Sequence, residues 1–275
     1  MLLKCIVLIF SGVLGDVIGR YALYYPLFLK HQAIVDSYET LEMSLPADIQ
    51  RKPLFLDQWT RRNCCGHQSM LSEKIPFVSM INFFWSNHQC DQCCARLPFA
   101  IAVSTLLVLL LTGLIVMQYG ITFKSLWLCL FFDNLIVLSL IDFAERILPD
   151  LHTVGFLWLG LLLNCWRTFS SLKSAVIAAV LGYAIPWLCA SLYTLIRKKE
   201  AMGQGDFKLY AMVGAWFGLP ILCHTWLLSV LLGGVSAVFV FVKKQSGLYQ
   251  EIPFGPIIAL ATLITLWSGP FLWRL

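Results

Sequence analysis

An all-α polytopic membrane protein is the fold class this sequence predicts, on three observations. The 275-residue chain is 59% hydrophobic and only 13% charged, with a mean hydropathy of +0.77, whereas soluble domains carry nearer about 25% charged residues. Runs free of Asp, Glu, Lys and Arg recur along it, and the basic residues gather in alternate connections between those runs.

The uncharged runs are Leu97 to Phe123, Ser125 to Phe132 with Asn134 to Ile141, Leu151 to Trp166, Ser174 to Ile196, Leu209 to Val242 and Ile252 to Trp273. A crossing helix needs roughly 20 apolar residues, about 17 to 25 being tolerated, so most runs qualify and Leu151 to Trp166 is marginal. The run 209 to 242 is too long for one span; Gly218-Leu219-Pro220, with His224, offers a break into two short helices. An N-terminal span from about Cys5 to Leu23, interrupted by Asp16 and Arg20, makes eight spans in all. Lys4 ahead of an apolar core would also suit a signal peptide. No A-x-A-like cleavage site follows, so a retained anchor is expected.

Lys and Arg gather in cytoplasmic loops. With eight spans and both termini outside, the inside segments hold fifteen of the twenty: Arg20, Lys30, Arg51, Lys52, Arg61, Arg62, Lys74, Arg96, Arg146, Arg197, Lys198, Lys199, Lys208, Lys243 and Lys244. Lys4, Lys124, Arg167, Lys173 and Arg274 fall outside. The net charge of +5 thus reports topology. The partner it implies is the lipid bilayer and not nucleic acid.

Three regions follow: a first transmembrane helix (1–23), a polar cytoplasmic loop (24–98) in which Pro26, Pro46, Pro53 and Pro76 break any long helix, and a transmembrane core (99–275). The loop is a small module, short of material for a robust core of its own. It contains Cys64 and Cys65 in "RRNCCGH", then Cys90, Cys93 and Cys94 in "NHQCDQCC". Two cysteine knuckles, the second a clean C-x-x-C, suit thiolates converging tetrahedrally on a structural zinc. A cytoplasmic setting disfavours disulfides. Cys64, Cys65, Cys90 and Cys93 are the expected ligands, with Cys94, His67 and His88 as alternatives for the fourth position. Free thiols are the plainer reading, because the first knuckle lacks the C-x-x-C spacing. Cys5, Cys129, Cys165, Cys189 and Cys223 lie in apolar stretches and read as small hydrophobic residues.

Acids inside or at the edge of a span are costly and are functional candidates by default. Asp142 ends the third span in "LSLIDFAERILPD", and Asp206 opens the sixth after a Gly-x-Gly in "AMGQGDFKLYAMVGAW". The charge-derived topology brings both to the cytoplasmic face, as a pair of catalytic carboxylates requires. In such a pair one ionised carboxylate takes a proton from water as it attacks a peptide carbonyl, and the other, protonated, hydrogen-bonds to that carbonyl and then protonates the leaving nitrogen. Two close acids share a proton. Gly203 and Gly205 are expected to adopt conformations closed to other residues and to leave room for substrate. Asp206 would sit at a helix N-terminus, whose N–H groups favour a carboxylate. Lys208 is a supporting candidate, as a modulator of Asp206, a contact for substrate or a cytoplasmic anchor, and Asp150 is another. Ordinary boundary residues, a cap and a snorkelling acid beside Arg146, are the plainer reading of Asp206 and Asp142. Asp133 lies about 13 Å deeper than Asp142 and about 180° around an ideal helix, so it cannot join the pair without a break.

"GQGDFKLYAMVGAWFG" and "LIDFAERILPD" resemble the bacterial type IV prepilin peptidases, membrane aspartic proteases of the Gly-x-Gly-Asp class. "KIPFVSM" after "CCGH" and "IPFGPIIALA" at 252–261 extend the likeness over most of the chain. The resemblance implies an eight-span inner-membrane enzyme that removes the basic leader of type IV prepilins and type II secretion pseudopilins at the cytoplasmic face, cutting after a glycine. It implies Asp142 and Asp206 as the catalytic aspartates. It further implies, for many members, N-methylation of the new amino terminus with S-adenosylmethionine, a function associated with the region that includes residues 24–98. The chain departs from the family pattern at Gly12-Val13-Leu14-Gly15-Asp16-Val17, where Gly-Ser-Phe-Leu-Asn-Val is usual. It departs again at Arg62, which takes the first cysteine of Cys-Pro-x-Cys-Gly-His, and at Arg96-Leu97-Pro98-Phe99-Ala100-Ile101, where Arg-Tyr-Pro-x-Val-Glu loses its acid. All three departures lie in the N-terminal region, so leader cleavage is better supported than methylation. Two other classes compete: a proton-coupled transporter using Asp133 and Asp142, against which stand the clustering of acids at one face and the lack of an internal repeat, and an assembly scaffold that has lost its chemistry.

Overall fold

The computed structural model describes residues 2–41, 97–198, 202–243 and 253–268. Among these every regular element is a helix: α1 (Leu2–Thr40), α2 (Leu97–Tyr119), α3 (Phe123–Glu145), α4 (Asp150–Cys165), α5 (Leu172–Arg197), α6 (Gln204–Phe217), α7 (Leu219–Lys243) and α8 (Gly255–Ser268). Five of them, α1, α2, α3, α5 and α7, are long and apolar enough to cross a membrane. The other three, α4, α6 and α8, are 16, 14 and 14 residues long, so five of the eight expected spans have crossing length among the described residues. At about 1.5 Å per residue the 14-residue α6 covers only about 21 Å of a hydrocarbon core of about 30 Å.

Helices α1 to α3 belong to a first compact unit (Met1–Glu145) and α4 to α8 to a second (Arg146–Leu275). In the first, α1 and α2 approach so closely that a Cβ on Gly15 would lie 2.7 Å from the Thr105 Cα and one on Gly19 would lie 2.9 Å from the Ile101 Cα. Small residues four apart let two membrane helices make backbone contact, and the Ser104 hydroxyl uses that proximity to donate to the Gly15 carbonyl at 3.0 Å. Ile18, Ala22, Val108, Ile136, Val137 and Ile141 form the core there. The two charges that interrupt the first apolar run neutralise each other: Arg20 Nε donates to Asp16 Oδ2 at 2.7 Å, one helical turn away.

Helix α1 does not end at residue 23. It runs through Pro26 to Thr40. Proline removes one backbone donor and crowds the preceding turn. Around it, ring contacts at 5.3 Å (Tyr21–Tyr25), 6.3 Å (Tyr24–Phe28) and 6.5 Å (Tyr25–Phe28) reinforce the helix on both sides. Pro46, Pro53 and Pro76 lie outside the described residues.

The second unit is built around α6, which packs on α4, α5, α7 and α8. All of Leu209 to Phe217 is buried. A stripe of small residues on α5, Ala175, Ala178, Ala179 and Gly182, follows the helical repeat and is buried. It admits α6 to backbone contact: a Cβ on Gly214 would meet the Ala178 carbonyl at 2.7 Å, and one on Gly182 the Tyr210 carbonyl at 2.9 Å. The expected break in the long C-terminal run is present at Gly218, whose φ of 77° is a left-handed conformation that favours glycine. Burial explains why α6 need not be long or uniformly apolar, because protein and not lipid surrounds it.

Candidate active site

Asp142 lies in the last turn of α3 and is only 5% exposed. The helix ends at Arg146, whose φ of 58° is left-handed, as is common just past a helix C-terminus. Asp133 sits on the same uninterrupted helix, also buried. Its separation from Asp142 along and around α3 therefore stands as the sequence predicts.

Asp206 occupies the first turn of α6, as expected, and is 8% exposed. Gly203 is the N-cap, with extended backbone angles of −68° and 144°, and its carbonyl accepts the Asp206 N–H at 3.2 Å. The carboxylate turns back over this cap, since a Cβ on Gly203 would lie 3.6 Å from Asp206 Oδ2. A helix start leaves backbone donors without intrahelical acceptors, so a carboxylate folded towards it is in a favourable field. The expectation that both glycines adopt conformations closed to other residues is corrected. Gly203 has a negative φ and Gly205 is helical. What Gly205 supplies is space: a Cβ there would come within 2.7 Å of the Leu148 Cβ.

Lys208 and Asp150 are brought together. Lys208 Nζ donates to Asp150 Oδ1 at 2.6 Å, with side chains 25% and 67% exposed. Asp150 opens α4, where a carboxylate again suits the helix start. Cys64, Cys65, Cys90 and Cys93, and the alternative ligands Cys94, His67 and His88, lie outside the described residues. Among the described residues no group of His, Cys, Asp and Glu side chains is arranged to hold a metal.

Several residues that hold α6 in place belong to no motif in the sequence. Asn164, fully buried, donates through Nδ2 to the carbonyls of Ala215 and Trp216, each at 2.8 Å, and accepts through Oδ1 from the N–H groups of Phe169 at 3.1 Å and Ser170 at 2.9 Å. It thereby caps the end of α6 opposite Asp206. Trp216 Nε1 donates to the Phe156 carbonyl at 2.7 Å. Tyr210, one turn beyond Asp206, shares a 2.6 Å hydrogen bond with the Ser229 hydroxyl. A lone Asn in an apolar run was the available signal for the first of these, since such a group is kept in a membrane protein only where it is bonded.

Fold and site together define a class: a polytopic helical membrane protein with buried acids at helix ends. The type IV leader peptidase family model matches residues 129–238, a stretch that contains both Asp142 and Asp206. A prepilin leader peptidase/N-methyltransferase of Pseudomonas aeruginosa is 38% identical over 205 residues, 74% of this chain and 70% of that protein. Proteins of the same description from Pseudomonas putida and Aeromonas salmonicida are 33% and 32% identical, covering 94% and 98% of this chain and 90% and 92% of theirs. No solved structure matches the chain. The chain belongs to the type IV leader peptidase family.

Proposed function

We propose that this protein is a membrane aspartic endopeptidase that removes the leader peptide of type IV prepilins, and of type II secretion pseudopilins, at the cytoplasmic face of the bacterial inner membrane. The observation that carries the reading is the match of the family model over 129–238, together with the burial of both of its candidate acids, Asp142 and Asp206, at helix ends.

In this mechanism one carboxylate of the pair is ionised and the other holds a proton. The ionised group removes a proton from water as the water oxygen bonds to the scissile carbonyl carbon. The protonated group hydrogen-bonds to the carbonyl oxygen and stabilises the charge that develops on it. Collapse of the tetrahedral intermediate breaks the C–N bond as the leaving nitrogen takes a proton, giving a carboxyl terminus on the leader and a free amine on the mature chain. Asp206 is held by the start of α6, Gly205 keeps that turn seated on Leu148, and the Gly203 carbonyl accepts the Asp206 N–H at the cap. The eight helices cross or enter the bilayer with both termini outside, α6 doing so inside protein. The connections that follow Asp142 and precede Asp206 then face the cytoplasm.

N-methylation of the new amine is the second activity that the names of the relatives support, with S-adenosylmethionine as the methyl donor. Structural zinc on Cys64, Cys65, Cys90 and Cys93 would staple the polar segment, as four cysteine sulfurs suit a closed tetrahedral site. The test is to incubate the purified protein with a prepilin-like polypeptide and follow the products by mass spectrometry. Cleavage after the leader glycine supports the peptidase reading, and an unchanged substrate mass refutes it. The presence or absence of a methyl group on the new amine scores the second activity separately.

A further inference from the structure

Gly205 and Lys208 are three residues apart on α6, so they lie on one side of its first turn. Both meet the same short stretch of chain. A Cβ on Gly205 would come within 2.7 Å of the Leu148 Cβ, and the Lys208 ammonium bonds Asp150 Oδ1 at 2.6 Å. Leu148 is buried, and the intervening Pro149 is fixed by its carbonyl, which accepts from the Thr153 N–H at 3.1 Å and its hydroxyl at 3.2 Å. Asp206 is thus bracketed by two contacts to one rigid corner. An ion pair whose acid is 67% exposed adds little to folding, so stability alone is a weak reason for its presence beside a candidate reacting acid.

We propose that Lys208 and Asp150, with the Leu148–Gly205 contact, form a positioning clamp that fixes the orientation of Asp206. Lys208 then serves the reaction through its partner Asp150 and not by touching substrate. The inference rests on the reading of Asp206 as a reacting acid. A displacement of a reacting group by about 1 Å can cost about a hundredfold in rate, which gives a peripheral ion pair leverage on catalysis that it lacks on stability.

The test uses the purified full-length protein with a prepilin-like substrate and compares Lys208→Met, Asp150→Asn, the double variant and Lys208→Arg. The clamp requires each single neutral variant to lower kcat by about tenfold, with KM within about twofold of wild type. The double variant should lose no more than the worse single one, because both remove the same contact. Lys208→Arg should recover most of the rate, and melting temperatures should shift little. Wild-type kcat in Asp150→Asn beside a large loss in Lys208→Met, or losses that multiply in the double variant, would overturn the clamp. Amide hydrogen exchange in the 203–207 turn reports independently of activity: faster exchange in Asp150→Asn supports the clamp, and unchanged exchange refutes it. The parent reading fails differently, by wild-type cleavage in Asp206→Asn.

Discussion

At the scale of the residue, Asp206 is an acid held by its own backbone. Its N–H bonds Gly203 and its carboxylate folds over the start of α6, in the one part of a helix where a negative charge is welcome. The two glycines before it have different jobs, and their substitution should separate them. Gly205→Ala forces a Cβ against Leu148 and is expected to lower the cleavage rate by about tenfold or more. Gly203→Ala meets Asp206 Oδ2 at an ordinary 3.6 Å with a φ any residue adopts, and its loss should be clearly the smaller of the two. Initial rates of the purified variants on one substrate decide the order. Equal losses would mean that space at Leu148 is not what Gly205 provides.

At the scale of the element, α6 is a short helix secured at both ends, by the Asp150 corner at its start and by Asn164 at its finish. Asn164→Leu would leave two carbonyls and two N–H groups without their partners, at a cost of about 2–4 kcal/mol. Thermal unfolding in detergent should show a clear drop in Tm, whereas a Tm equal to wild type would mean that the carbonyls of Ala215 and Trp216 find other donors. The sequence made some of this element legible. Gly203 and Gly218 punctuate it, and the acid after a Gly-x-Gly marks its start, because those signals are local. Its cap by Asn164, 51 residues away from Ala215, and the pairing of Lys208 with Asp150 across 58 residues are contacts that no local pattern encodes. The same limit applies to α1: Pro26 reads as a helix breaker in isolation, whereas the helix continues through it, with ring pairs alongside and packing on α2 and α3.

At the scale of the whole molecule, apolar composition marks a membrane protein, but the length that an uncharged run needs is set by lipid and holds only for a helix that faces it. Helix α6 is buried among its neighbours and escapes the length and hydropathy that lipid imposes. The charge pattern carries an orientation that reporter fusions can check: insertions in the 146–149 loop and near residue 200 should both report the cytoplasm, and a periplasmic signal at either would contradict it. Metal analysis of the purified protein should find about one zinc per chain, lost in Cys90→Ser, if four thiolates close the site. Leader removal from a co-expressed prepilin should fall by about a thousandfold or more in Asp142→Asn and in Asp206→Asn, each variant still present in the membrane, because neither proton transfer can be made by an amide. Processing at the wild-type rate in either variant would contradict the account.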